Sequence, residues 1–424
     1  MKNISSLLFL LTCFCLFSLR PNARAQGALD QPFDELGWQS WRGMSESDYE
    51  KKLDDLKADG YRPIDVEVKG GSQRTYSAIW RKNSDSRKWV VKTKLTDADF
   101  HQQWTNYKNQ GYRPADQESH LLGNTRYYGA IWIENKENLG WYSFRNQTSN
   151  EFHEKYEELK GKYIPVDVDA YEVGNETRYS AIWVENKENI GWYIKRNLSA
   201  SELDQLFDEQ SDKGFRLYDI EGYERNNKLE YAAIFVKESK GRKWYGRWGM
   251  TDTWFHNYWA QYRDMGFRIE DLEVYQTSAG TRYAGVWVEN SDIVQWSEKD
   301  EVNKLIEDYL KANPTAGMSV AIAVNGKIKY KRGFGLADVS ASKQADSETI
   351  YRLASVSKAV TGTLAFRLKD KGKIDLNKKT RDYESRLPAH HTHTVGQLLS
   401  NRGKVRHYLD DDPLSAGTTE VYTS

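Results

Sequence analysis

Six tryptophans, Trp38, Trp89, Trp141, Trp192, Trp244 and Trp296, follow one another at spacings of 51, 52, 51, 52 and 52 residues. Self-similarity of this length marks an array of one supersecondary unit, and it constrains most of the chain. Seven residues after each of the first five stands a hydroxyl residue: Ser45, Thr96, Thr148, Ser199 and Thr251. Three residues further on, four copies carry an acid (Asp48, Asp99, Glu151, Glu202), and the fifth departs with Trp254. A hydroxyl with an acid three residues later is a helix N-cap close to a capping box. The apolar positions that follow, Tyr49/Leu53/Leu56, Phe100/Trp104/Tyr107, Phe152/Tyr156/Leu159, Leu203/Phe207 and Phe255/Trp259/Tyr262, fall on one face of each predicted helix. A Gly-aromatic pair closes four of these helices, and "KYIPVDVDAY" stands in its place in the third copy. Short β-rich runs such as "RTYSAIW" and "TRYSAIW" complete the unit.

One repeat therefore reads strand–helix–strand–strand, in five copies at 38–88, 89–140, 141–191, 192–243 and 244–295, after a leader at 26–37. Such a unit cannot bury its apolar face alone, so neighbours must stack. Spacing leaves an open solenoid and a closed ring equally available. All 15 tryptophans lie between positions 38 and 296, as a repeated core should, although some on a concave face would stack on a glycan or peptide.

Lys+Arg and Asp+Glu are both 61, so no polyelectrolyte partner is implied and nucleic acid binding has no support. The N-terminus reads as a secretory signal peptide: Lys2, an apolar run over 7–19, and small residues Ala23 and Ala25, with cleavage expected after Ala25. Cys13 and Cys15 both lie inside that segment, so the mature chain would contain no cysteine and thiol chemistry is excluded. The expected location is outside the cell or in the periplasm, with no membrane attachment once the signal is removed. Sequons at Asn146, Asn175 and Asn197 would accept glycans in a eukaryotic secretory pathway.

After Trp296 the texture changes, and a second domain is expected over 297–424. "DEVNKLIEDYLKANPTAG" reads as a helix stopped by Pro and Gly, and "MSVAIAVNGKIKYKRGFG" as a hairpin turning at Asn325-Gly326. In "YRLASVSKAV", Ser355 stands at the start of a predicted helix, with Lys358 three residues on and on the same face. A serine hydroxyl is a weak nucleophile and needs a proton acceptor within hydrogen-bond reach. Lysine serves only if burial or a cationic neighbour lowers its pKa, or if it assists another base.

The hairpin, then "ASVSKAVTG", then "THTVGQLLSNRGKVRHY" resemble, in that order, the opening third of the class C β-lactamase-like serine hydrolases, which include penicillin-binding-protein-like peptidases, esterases and mitochondrial LACTB-like proteases. The resemblance makes Ser355 the acylated nucleophile and Lys358 its activating lysine. The repeats ahead of such a domain look most like polyglycine hydrolases, secreted endopeptidases acting on glycine-rich linkers. "LLSNRGK", with Asn401 and Lys404, departs from the usual LLSHTSG-like segment. In "GTTEVYTS", Tyr422 matches the tyrosine of the second motif, with Ser424 in its Asn position; the resemblance makes Tyr422 the proton shuttle. The third motif, a Lys/His-Thr/Ser-Gly strand, does not occur after it, so the chain as written is expected to be incomplete or inactive. His390, His391 and His393, with His407 and the acids at 410–412, are expected to face solvent rather than hold a metal, and no cofactor is implied.

The expected fold class is α+β: five tandem repeats followed by an incomplete β-lactamase-like α/β serine hydrolase domain. Two functions are consistent with it. One is a secreted acyl-enzyme hydrolase acting on a peptide, ester or cell-wall-type substrate positioned by the repeats. The other is a non-catalytic scaffold whose repeats bind a glycan or protein.

Overall fold

The computed structural model describes residues 27–29, 36–174, 176–225, 228–290, 296–389 and 391–403. The predicted signal segment with both cysteines, the sequon residue Asn175, His390, His407, the acids at 410–412, Tyr422 and Ser424 lie outside the described residues. The chain divides into two compact units between Thr349 and Ile350.

In the first unit each repeat is strand–helix–strand–strand. The first comprises β1 (Trp38–Met44), α1 (Glu46–Ala58), β2 (Tyr61–Lys69) and β3 (Thr75–Lys82). The second comprises β4 (Trp89–Leu95), α2 (Asp97–Asn109), β5 (Tyr112–Leu122) and β6 (Thr125–Glu134). The third comprises β7 (Trp141–Gln147), α3 (Ser149–Leu159), β8 (Tyr163–Val173) and β9 (Glu176–Glu185). The fourth comprises β10 (Trp192–Leu198), α4 (Ala200–Asp212), β11 (Phe215–Arg225) and β12 (Lys228–Lys237). The fifth comprises β13 (Trp244–Met250), α5 (Asp252–Asp264), β14 (Phe267–Thr277) and β15 (Gly280–Glu289). In every repeat the last strand lies between the other two in a three-stranded antiparallel sheet, as in the order β1-β3-β2.

The helices start where the hydroxyl residues stand. All five N-cap side chains accept the backbone N–H three residues on, including Thr251 from Trp254. The full capping box forms only at Thr148/Glu151 and Ser199/Glu202. Asp48 and Asp99 are one methylene shorter; each accepts the N-cap hydroxyl, at 2.6 and 2.7 Å. The first apolar position of every helix is buried: Tyr49, Phe100, Phe152, Leu203 and Phe255. Beneath them Trp80, Trp132, Trp183 and Trp287 are fully buried, with Phe235 at that register in the fourth repeat. These rings are framework.

The array closes into a ring. Leu272 N donates to Asp65 Oδ2 at 2.6 Å and Val274 N to Glu67 Oε2 at 3.3 Å, joining the fifth repeat to the first. The same bond joins ordinary neighbours: Val66 N to Asp116 Oδ2 at 3.3 Å, and Val168 N to Asp219 Oδ2 at 3.1 Å. Ile79 of the first repeat packs into the fifth repeat's core with Met250, Phe255 and Trp287. A strand at a sheet edge presents unpaired N–H groups, and here the next repeat's carboxylate covers them.

Those carboxylates are re-aimed by a bulge that recurs just before each one, between Pro63 and Asp65, Pro114 and Asp116, Pro165 and Asp167, Leu217 and Asp219, and Ile269 and Asp271. A bulge changes which face a residue presents. After it, Val66 and Val68 enter the hydrophobic core, while Asp65 and Glu67 take the opposite face.

The first unit continues beyond the fifth repeat with α6 (Lys299–Ala312) and a three-stranded sheet of β16 (Gly317–Val324), β17 (Lys327–Asp338) and β18 (Lys343–Gln344). Asn325 and Gly326 both have positive φ, 52° and 76°, as the type I′ turn requires. This sheet is tied to α5: Gln344 N donates to Asn257 Oδ1 at 3.1 Å, and Ser347 N and Oγ both donate to Asp264, at 2.7 and 2.5 Å.

Candidate active site

In the second unit a 3₁₀ turn, Ala354–Val356, runs into α7 (Ser357–Asp370), and Ser355 sits in that turn. Ala354 has φ +43°, a left-handed conformation that an L side chain adopts at a cost and that clusters at functional sites. No side chain caps the start of α7, so its first-turn N–H groups and positive dipole end lie beside Ser355. Lys358, one turn on, directs Nζ to Ser355 Oγ at 3.0 Å. The lysine donates and the serine accepts, and both residues are exposed.

The helix presents apolar side chains around this pair. Val356, Val360 and Leu364 are more than half exposed, and Ala365 is the buried residue of α7. Beyond it, Lys379 bridges to Thr394, and Thr394 caps the short helix α8 (Val395–Leu399) through a capping box with Gln397. Asn401, where the sequence departs from the resembled pattern, has φ +58° and closes α8 with its N–H on Leu398 O at 3.1 Å. Asparagine tolerates that left-handed terminus.

His393 is buried, at 8% exposure, which corrects the expectation of a solvent-facing cluster. Its backbone carbonyl accepts Thr380 N at 3.2 Å, and the adjoining bridge holds it against the unit. His391 packs edge-on against it, ring centroids 5.4 Å apart. Of the three sequon asparagines, Asn197 has its Oδ1 taken by the Tyr179 and Tyr223 hydroxyls at 2.5 and 2.9 Å. A cleft of about 430 Å³ in the first unit, lined in part by Gln261, Asp264, Arg332 and Phe334, includes neither Ser355 nor Lys358.

The polyglycine hydrolase-like structural repeat matches at residues 35–83, 86–135, 138–186, 189–238 and 241–290, together more than half of the chain. The chain belongs to that repeat family. A second profile, beta-lactamase, matches residues 302–421, so a beta-lactamase-like domain follows the ring. Among curated proteins, Protein flp of Staphylococcus aureus (strain N315) is 30% identical over 107 residues, 24% of this chain and 22% of that protein. The mitochondrial serine beta-lactamase-like protein LACTB of Mus musculus is 32% identical over 101 residues, 22% of this chain and 18% of that protein. The chain thus spans about a fifth of the length of these relatives.

The sequence reading passed over the recurrent acids aimed by the bulges. A signal was present: "IDVEV", "ADQES", "VDVDA", "YDIEG" and "EDLEV" place an Asp at one position of every repeat and a second acid two residues later in all five. No helix among the described residues is long and apolar enough to cross a membrane.

Proposed function

We propose that this chain is an exported serine hydrolase working through an acyl-enzyme, of the class C β-lactamase-like type, with a glycine-rich peptide as its substrate class. The observation that carries the reading is the 3.0 Å approach of Lys358 Nζ to Ser355 Oγ at the start of α7, within the beta-lactamase-like match. Ser355 Oγ forms a bond to the substrate carbonyl carbon, and its proton passes to Lys358 as a free amine. Tyr422 relays that proton to the departing amine or alcohol, and water then releases the acyl group and restores the serine. The peptide class rests on the repeats, which match the polyglycine hydrolase-like unit.

A fluorophosphonate probe is expected to label the purified protein covalently at Ser355, and Ser355→Ala to remove the label. An unlabelled native protein, or a label that persists in Ser355→Ala, overturns the reading. A second reading, a ligand-binding ring, is favoured by Trp254 and Trp41, which are 57% and 45% exposed, unlike the framework tryptophans. Binding of a glycan or peptide that survives Ser355→Ala and is lost in Trp254→Ala would support it.

A further inference from the structure

The ring collects two acids from every repeat: Asp65 and Glu67, Asp116 and Glu118, Asp167 and Asp169, Asp219 and Glu221, Asp271 and Glu273. They converge from non-adjacent repeats, so that the charge of Asp219 acts on Asp65 and that of Glu221 on Glu67. Carboxylate oxygens of Asp116, Glu118 and Asp167 lie within 4.8 Å of one another, as do those of Glu118, Asp169 and Glu221.

Edge capping explains one oxygen of several of these groups. It does not explain the other. Asp65 Oδ1 and Asp167 Oδ2 have no hydrogen-bond partner, although the two residues are only 7% and 4% exposed. A buried carboxylate oxygen without a donor or cation is costly. Elsewhere this protein provides the cation. Glu270 is flanked by Arg268 and Arg81, Glu137 by Arg87, and Glu238 by Arg216 and Arg242. Despite burial, the two arginines hold the Glu270 carboxyl below its usual range. Among the described residues none of the ten axial acids forms an ion pair, although the charge of Arg126 acts on Asp169. Glu118, Asp219 and Asp271 are only partly buried as residues.

We infer that the axis of the ring binds divalent, oxygen-seeking cations of the calcium class at two adjoining trios that share Glu118, one of Asp116, Glu118 and Asp167 and one of Glu118, Asp169 and Glu221. Hard dications take six to eight oxygens, and carboxylates drawn from several strands supply them without the strict octahedron magnesium demands. The ions would supply the charge that arginine supplies to the other buried acids, and they would tie together the second, third and fourth repeats.

The test uses the full-length protein, stripped with a chelator and dialysed. Calcium alone, at about a hundred times its dissociation constant, is expected to raise the thermal midpoint by roughly 5–10 °C. Calorimetric titration with calcium should give at least one site per chain, weakened about tenfold or more in Asp167→Asn. That change keeps an oxygen to cap the neighbouring edge, and Asp97→Asn, on the surface, should leave binding unchanged. Should Asp167→Asn fail to fold, elemental analysis of the native protein decides by the calcium it retains. Absence of retained metal together with no midpoint shift from calcium, magnesium or manganese overturns the inference. So does undiminished calcium binding in a folded Asp167→Asn protein.

Discussion

The ring and the segment that carries the serine solve opposite problems. In the ring every repeat completes its neighbour's core, and the fifth returns to the first, so that Trp80, Trp132, Trp183 and Trp287 are fully buried. In α7 and the turn before it, by contrast, Val356, Val360, Leu364 and Phe366 are all more than half exposed. The ring therefore draws its stability from contacts it makes with itself. The helix start bearing Ser355 presents the proposed reactive pair and an apolar face together, and cover for that face, whether substrate or protein, would also dry the pair. The difference separates stability from reactivity: damage to the framework should unfold the ring, whereas damage to the pair should silence chemistry without touching the fold.

The largest expected effect lies at the pair. Lys358→Ala should lower the rate of fluorophosphonate labelling by roughly 10⁴-fold, on the scale of losing one member of a nucleophile–base unit, with the midpoint of unfolding unchanged. Lys358→Arg should not rescue it, because a guanidinium does not give up its proton. In the framework, Trp183→Ala should cost about 3–5 kcal/mol in denaturant unfolding. Trp183→Phe should cost less, since Phe235 already fills that register in the fourth repeat.

The axial acids sharpen the comparison by pH. Asp169 and Asp219, raised chiefly by burial to about 7 and about 8, bind a proton more tightly folded than unfolded. They are faced by Asp116, Glu221 and Asp271 and, on the cationic side, by Arg126. Their stabilising contribution is complete below about pH 4 and is lost as pH rises through 7 to 8. The thermal midpoint of the chelated protein should therefore fall between pH 5 and 9, and calcium should flatten that fall. A flat chelated profile would break the link between burial and charge at the axis.

Smaller still, Thr148→Ala should cost about 1 kcal/mol in denaturant unfolding through the capping box of α3. Smallest, Leu364→Ser should shift stability by less than about 0.5 kcal/mol, as a substitution at an exposed position does. A loss of about 2 kcal/mol there would show that α7 is covered in the intact protein, and the contrast with the ring would disappear.

Much of this was legible in sequence because it is local. The N-caps, the Asn325-Gly326 turn and the order strand–helix–strand–strand follow from short-range chemistry, which each copy restates. Ser355 and Lys358 were legible for the same reason, since three residues on a helix start set their distance. His393 was misread because its burial depends on a bridge between Lys379 and Thr394, which polarity along the chain does not reveal.

Sequence by itself determined the repeat, the order of its elements and the nearness of Ser355 to Lys358. Tertiary structure alone decided that the array closes, because closure depends on the angle between successive repeats, a sum of small sheet twists and bulges that no single repeat encodes. It alone decided the fate of the acids as well. Along the chain Asp65 and Asp219 are ordinary polar residues in separate strands, and only the turn of the ring brings their charges close enough to act on each other.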